Sequence, residues 1–407
     1  MSILVRTFSI CIVQAIAVAQ TTWVVDRFNR PGAQFTDLPA AVAAAASGDV
    51  ILLRATSASR ADSYLAPAIQ GKGLTIVGET GIGLPEVVVT GSWTIQAVPT
   101  GSTLVISSMR VGVASSIDFP PQGRPFAMQI TDCIGAVVLR RIVAAEFDPV
   151  AIPAPRDNAL MIFSECSMEL GYASLRFLRC KVMMNNSGLS RARALFGSPA
   201  ATVILDSSEL HLAGCVIDGA SPTIGVQPSS PAVEFVTGGK LFVNEGCRLV
   251  GGLQRTGFRS PWVHFQPAQP ADCIRAEVEY DPAATVVQGT NPLACMRVTM
   301  TPQSGLRTST QFNILHIDHD TTPNAPAILL MAPLQATPWN TFLGPIFLDQ
   351  NFVWASLGVA PTFRPLRRSF VIPPTIPSGQ WVGVQAFELD TQNNTLLATN
   401  VTVVGVL

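Results

Sequence analysis

Leu210-His211-Leu212-Ala213-Gly214-Cys215-Val216-Ile217 is the stretch on which the reading of this chain turns. Apolar residues stand at period two on either side of a short turn, the pattern of two strands that each bury one face. The phrase recurs at Leu104-Val-Ile106-Ser-Ser-Met109-Arg-Val111, at Val137-Val-Leu139-Arg-Arg-Ile142-Val-Ala144 and at Leu175-Arg-Phe177-Leu-Arg-Cys180-Lys-Val182. Leu241-Phe-Val243-Asn-Glu-Gly-Cys247-Arg-Leu249 repeats it with one residue inserted at the turn. The copies start at 104, 137, 175, 210 and 241, so by subtraction the intervals are 33, 38, 35 and 31 residues. Periods of this size suit a solenoid of stacked coils. An antiparallel sandwich would have no need of the same strand–turn–strand phrase in every copy.

Composition agrees with coils. Of the 407 residues 48% are hydrophobic and 13% charged, and Gly and Pro number 31 each, which fits many short strands between turns. No apolar run after the N-terminus reaches the ~20 residues of a spanning helix, so a transmembrane segment is not expected beyond a leader. A net charge of -1 gives no electrostatic case for nucleic acid. The leader is expected at residues 1–20, where Arg6 precedes the apolar stretch Phe8 to Val18 and Ala17-Val18-Ala19 offers small residues for cleavage. That layout predicts a secreted or cell-surface protein. Removing Cys11 with the leader leaves seven of the eight cysteines, and an odd count leaves at least one thiol free. Cys180, Cys215 and Cys247 align with Met109 and Ile142, which reads as a ladder of buried thiols. Cys273 and Cys295 are either a disulfide or another ladder pair. No Cys-x-x-Cys or His-rich cluster specifies zinc.

In chain order, Trp23 to Phe28 reads as a strand. A helix capped by Thr36 or Asp37, with Pro39 in its first turn, is expected to run to Ala46 and end at Ser47-Gly48. The strand Val50 to Leu53 and the segment Lys72-Gly73-Leu74-Thr75-Ile76-Val77-Gly78 follow. This succession resembles the opening of right-handed parallel β-helix proteins of the pectin-lyase-like superfamily, and the resemblance extends from Trp23 to Met300. It implies a short helix capping the solenoid and leaves the activity open, because the superfamily holds lyases, hydrolases, esterases and proteins without known catalysis. The domain reading is therefore a β-helix over 21–304, then a small β-sandwich over 305–407. In the latter, strand-like runs at 312–317, 327–331, 342–348, 370–372, 381–389 and 400–407 are separated by turns such as Pro373-Pro374. Ile372-Pro373, Gly379-x-x-Val-Gly-Val-Gln385-Ala and Thr399-Asn400-Val-Thr-Val resemble the C-terminal β module of secreted planctomycete proteins, which implies export rather than chemistry.

The chemistry expected of the superfamily is not spelled in the chain. The Asn-Thr-Asp, Asp-Asp, Gly-His-Gly and Arg-Ile-Lys signatures of polygalacturonase-like hydrolases do not occur, nor does the pectin-methylesterase-like Gly-x-Val-Asp-Phe-Ile-Phe-Gly. Asp206 with Glu209, or Glu165 with Glu169, would meet the carboxyl separation of a glycosidase only by chance. Pectate-lyase-like enzymes imply Ca²⁺, yet no motif specifies it: Arg259-Ser-Pro261 lacks a second Arg, and His316-Ile-Asp318-His319-Asp320 lies beyond the solenoid and reads as a polar strand end. No cofactor or metal ligand is assigned. What remains is the outward stripe between the core positions. Arg176, Lys181, His211 and Arg248 read either as scattered charges on a solvated face or as a basic groove, with Phe242 as a stacking platform for an acidic sugar. The reading is a non-catalytic β-helix protein that contacts polysaccharide or other cell-surface components. The alternative is a divergent polysaccharide lyase or glycoside hydrolase acting on an acidic polysaccharide.

Overall fold

The computed structural model describes residues 20–55, 62–80, 84, 86–112, 128–147, 159–170, 174–191, 201–219, 230–243, 247–250, 263–265, 273–274, 293–301, 313–320, 325–341, 344–350, 352–359, 366–372, 380–390, 395–399 and 401–406. Residues 1–19 of the expected leader, Arg259-Ser-Pro261 and the turns over 373–379 lie outside these residues.

The first part is a parallel β-helix. Trp23, Ile51, Ile76, Ile106, Leu139, Phe163, Met184, Leu212 and Val243 stand one above the next in parallel register, which carries on to the backbone at Ile274. By subtraction the coils are 28, 25, 30, 33, 24, 21, 28, 31 and 31 residues long. This column lies on what we call face A. Face B carries the inward residues Val89, Val111, Ala144, Met168, Leu189, Ile217 and Leu249, and face C carries Ile69, Ile95, Ile130 and, in later coils, Phe177, Leu205 and Phe235. All of these inward side chains belong to one continuous buried cluster along the axis. The buried Val, Leu, Ile, Phe and Met side chains among them contribute about 1.5–3 kcal/mol each by leaving water.

The corners explain the repeating phrase. Between faces A and B the chain turns through one left-handed residue, at Ser108, Arg141, Glu165, Asn186 and Gly214. Between faces C and A it turns the same way, at Ala97, Asp132, Arg179 and Ser207. The 175 copy of the phrase is therefore a C-to-A corner, whereas the copies at 104, 137, 210 and 241 are A-to-B corners. Leu175 stacks on Val203, and Val182 stacks on Leu210. Two A-to-B copies lie between 137 and 210: Met161-Ile-Phe163-Ser-Glu165-Cys166-Ser-Met168 and Val182-Met-Met184-Asn-Asn186-Ser187-Gly-Leu189.

Cys180 consequently leaves the thiol column proposed for it and packs under Ser208, whose Oγ accepts from the Cys180 N–H at 3.2 Å. The A-to-B column holds Met109, Ile142, Cys166, Ser187, Cys215 and Cys247. Polar atoms there serve the backbone where the ladder breaks. Ser187 Oγ accepts from Cys166 N–H at 3.1 Å and donates to the Asn185 carbonyl at 2.9 Å. Cys247 Sγ accepts from Cys215 N–H at 3.3 Å, and the Cys215 thiol donates to the Met184 carbonyl at 3.1 Å.

The capping helix spans Leu38–Ala44, two residues shorter than the sequence reading, with Asp37 as its N-cap. Its C-terminal carbonyls are held by the Lys72 ammonium, which donates to Val42 at 2.9 Å and Ala45 at 2.7 Å. A cation at that end also complements the helix dipole.

The C-terminal module is antiparallel. Leu293–Thr301 lies in its eight-stranded sheet, pairing antiparallel with Asn313–Asp320 and parallel with Thr395–Thr399. Leu334–Thr341, Val353–Val359 and Thr395–Thr399 are strands that the sequence reading left as connections. Among the described residues, no helix is long and apolar enough to cross a membrane.

The module sits on face A. The outward residues Val105, Val138, Ile162 and Met183, with Ala136 and Leu160 beside them, form one buried cluster with module residues that include Leu330, Phe347, Phe387 and Val401. Asn185 Nδ2 donates to the Val401 carbonyl at 3.2 Å across this contact. Face A of the middle coils is thus buried on both sides.

Candidate functional site

The five residues expected to share one outward groove are distributed over three faces. Arg176 lies on face C, where its Nη2 is 2.8 Å from Asp206 Oδ2. Lys181 lies on face A, 3.6 Å from Glu209 and with its ammonium 5.8 Å from the centre of the Phe347 ring. Arg248 lies on face B, 3.5 Å from Asp218. His211 and Phe242 are in register on face A, and the Phe242 side chain lies outside the described residues. No single face carries all five, because the stripe joins positions from corners of different kinds.

His211 is the largest departure from expectation. Its side chain is 6% exposed, where the sequence reading had an open surface. Burial first, and then the positive charges of Lys181 and Lys240, push its pKa down to about 3. Its 3.8 Å approach to Glu209 is therefore the contact of a neutral ring at ordinary pH.

The carboxylate pairs also separate. Asp206 is on face C beside Arg176, and Glu209 is on face A beside Lys181, with the Ser207 corner between them. Glu165 forms a corner and is gripped by Arg140 Nη2 at 3.2 Å and Arg141 Nε at 2.7 Å, while Glu169 projects from face B. Burial alone would raise the Glu165 pKa, but the charges and hydrogen bonds of the two arginines outweigh it and hold the carboxylate below the usual range. Neither pair presents two free carboxyls to one substrate. Asp206, Glu209 and Glu165 each lie within 4.0 Å of an arginine or lysine.

The thiols are buried and deactivated. Desolvation pushes Cys166 up to about 12 and Cys180 to about 11, and raises Cys133 and Cys215 as well. A thiol so shifted carries almost no nucleophilic thiolate near neutral pH. Cys273 belongs to the last described coil and Cys295 to the first strand of the C-terminal module; their side chains lie outside the described residues. Asp318 of the His316–Asp320 stretch is in register between Arg297 and Arg367 on the neighbouring strands. Alternation places positions 318 and 320 on one face of that sheet and 319 on the other. Among the described residues, no three His, Cys, Asp or Glu side chains converge as a metal site.

One open surface carries an ordered set of polar groups. On face C of the early coils, Gln70, Gln96 and Thr131 stack in register, with Thr94 and Gln129 stacked beside them. All five are exposed or half-exposed, while Ile69, Ile95 and Ile130 fill the inward phase of the same strands. Parallel coils repeat at ~4.8 Å, so amide and hydroxyl groups are offered at a fixed spacing along the axis. Sequence reasoning passed over this ladder because the strands carrying it, Ala68–Gln70, Trp93–Gln96 and Met128–Thr131, fall outside the repeating phrase. The detectable signal was alternation itself: apolar and polar residues exchange at every step from Trp93 to Gln96 and from Met128 to Thr131. No protein-family model matches the chain, and no curated protein matches it.

Proposed function

We propose that the protein is an exported, non-catalytic β-helix of the pectin-lyase-like kind that contacts polysaccharide at or beyond the cell surface. The observation that carries this reading is the uncharged polar ladder on face C, Gln70-Gln96-Thr131 with Thr94-Gln129. Extended glycan chains present hydroxyls that both donate and accept, and side-chain amides and hydroxyls do the same. A row of such groups on a regular backbone can meet a chain laid along the axis, at a cost of about 0.5–1.5 kcal/mol for each side chain it immobilises. Arg176, later on the same face and 42% exposed, is paired with Asp206 at 2.8 Å and so adds no net positive charge to the ladder. Lys181 and Arg248 belong to other faces and would contribute only to separate contacts. His211 is too deeply covered to take part. The ionic groups of the solenoid supply further support, since most hold neighbouring coils together rather than face a common reaction centre.

The test is a glycan array and a polysaccharide pull-down with the secreted chain, comparing wild type, Gln96→Ala/Gln129→Ala and Arg176→Ala/Lys181→Ala. Binding to an extended polysaccharide that falls several-fold in the first variant is the expected result. Equal signals from all three proteins dispose of the ladder. Turnover of polygalacturonate or alginate by the wild type would replace this reading with that of a lyase or hydrolase.

A further inference from the structure

The column of residues that opens face B holds one pair of thiols in consecutive coils. Val216 and Arg248 are in parallel register, so Cys215 and Cys247, the residue before each, lie one above the other just inside the A-to-B corner. The Arg248 N–H donates to the Cys215 carbonyl at 2.7 Å, and the Cys215 N–H donates to Cys247 Sγ at 3.3 Å. The Cys247 sulfur thus already reaches into the coil of its neighbour, and the two thiols are within hydrogen-bonding reach of each other. Both side chains are buried. No other thiols among the described residues are stacked in this way. Ser187 separates Cys166 from Cys215. Cys133 and Cys180 belong to the other corner column, where Cys180 lies between Ala159 and Ser208. Cys273 is in register with Phe242, at an outward position of face A.

Neighbouring parallel strands place in-register residues ~4.8 Å apart. A disulfide takes Cα separations of about 4.4–6.8 Å, so a stack of this kind is bridged without moving the backbone. What it needs is one side-chain rotation. The Cys215 thiol donates to the Met184 carbonyl at 3.1 Å, on the preceding coil, and a change of its χ1 rotamer turns the sulfur toward Cys247 instead. We propose that Cys215 and Cys247 are joined by a disulfide when the chain folds in the presence of a small-molecule disulfide such as oxidised glutathione. The Cys215 thiolate attacks one sulfur of the glutathione disulfide and releases one glutathione thiolate. The Cys247 thiolate then displaces the second glutathione from the mixed disulfide. The two protein thiols lose two protons and two electrons, and the oxidant becomes two thiols. The exchange belongs to folding, while the corner is still open, because burial afterwards leaves almost no thiolate. The bond closes a loop spanning 32 residues and ties the coil of Arg248–Val250, the last described strand on face B, to the coil before it. The inference goes beyond the proposed glycan contact and does not depend on it, because the pair lies inside the solenoid.

The experiment is cell-free synthesis of the full chain in a buffer of reduced and oxidised glutathione and, in parallel, in dithiothreitol, for wild type, Cys215→Ala and Cys247→Ala. Each product is alkylated, digested without reduction and mapped by mass spectrometry, and its thermal midpoint is read by circular dichroism. The expected result is a wild-type peptide pair linked through Cys215 and Cys247, two hydrogens lighter than its thiol forms together. The linked protein is expected to melt several degrees above its dithiothreitol counterpart. Neither alanine variant should show that rise. Alkylation of both cysteines in the wild type made with glutathione overturns the proposal. Linkage of either one to a different cysteine overturns it equally. A linked protein that melts below its reduced form does so too, because the bond would then work against the fold.

Discussion

Glu165 shows how a single charged residue can be spent on holding the turns of a solenoid together. It occupies a left-handed backbone position at an A-to-B corner and receives two guanidinium groups, one of which, Arg140, is almost fully buried. Breaking a buried pair by removing one partner typically costs about 3–5 kcal/mol, because the remaining charge is stranded. Glu165→Gln is accordingly expected to lower stability by that order in urea unfolding, whereas removing only the more exposed partner, Arg141→Gln, should cost less. His211 makes a prediction about acid. Its folded pKa of about 3 lies below the ordinary value of 6.5, so the unfolded chain binds the extra proton first. Its contribution is fully present above the unfolded value and is lost as pH falls toward the folded one, at up to ~1.4 kcal/mol per pH unit inside that window. His211→Met, which extends the side chain of its neighbour Met183 by one coil, should flatten the loss of stability between neutral pH and pH 4. An unchanged pH slope in the variant would show that His211 is protonated in the folded state.

At the scale of the coil, the corners decide how much could be read. Strand, left-handed residue and inward small or apolar residue recur at both corner types, so the repeat was legible as a fold but not as a phase. Arg179-Cys180 and Gly214-Cys215 look alike in sequence, yet one opens face A and the other closes it. That ambiguity carried Arg176 and Lys181 into a stripe to which they do not both belong. The copies at Met161 and Val182 escaped notice for a related reason: their strands are apolar at both phases, as in Leu160-Met-Ile-Phe163 and Val182-Met-Met184, and continuous apolar runs mean burial on both sides. The same runs were the available signal that something covers face A. Corner chemistry is itself testable. Ser187→Ala leaves the buried Cys166 N–H without its acceptor and is expected to cost about 1–3 kcal/mol. Ser187→Cys, which restores the pattern of Cys215 under Cys247, should recover most of that loss in thermal unfolding. Gly78 marks a further close approach, since a Cβ there would run into the Ser108 carbonyl oxygen of the next coil. Gly78→Ala should therefore destabilise the early coils despite its small size.

The whole molecule is organised around face A, which is a core to the module as much as a wall to the solenoid. Its middle column of Val105, Val138, Ile162 and Met183 is as apolar as the inward columns, and the module meets it with Leu330, Phe347 and Phe387. A solenoid stripped of the module would expose that strip to water, and the module would expose its own half. The C-terminal residues are in this sense part of the folded body, which limits any role for them as a detachable tag. Placing a charge in the middle of the contact separates the two effects. Ile162→Asp puts an unpaired carboxylate outward, into the shared cluster, while the inward neighbours Met161 and Phe163 keep their places on the axis. Hydrogen exchange on the full chain should then show lost protection in Pro326–Ala332 and Gln380–Asp390, with the strands over 137–139 and 210–212 still protected. Ile162→Val, a loss of about 0.5–1.5 kcal/mol in a packed site, should leave both regions protected. If Ile162→Asp leaves exchange in the module unchanged, apolar contact on face A is not what holds it there. If both regions lose protection together, module and solenoid unfold as one unit, and face A is the seam of a single core.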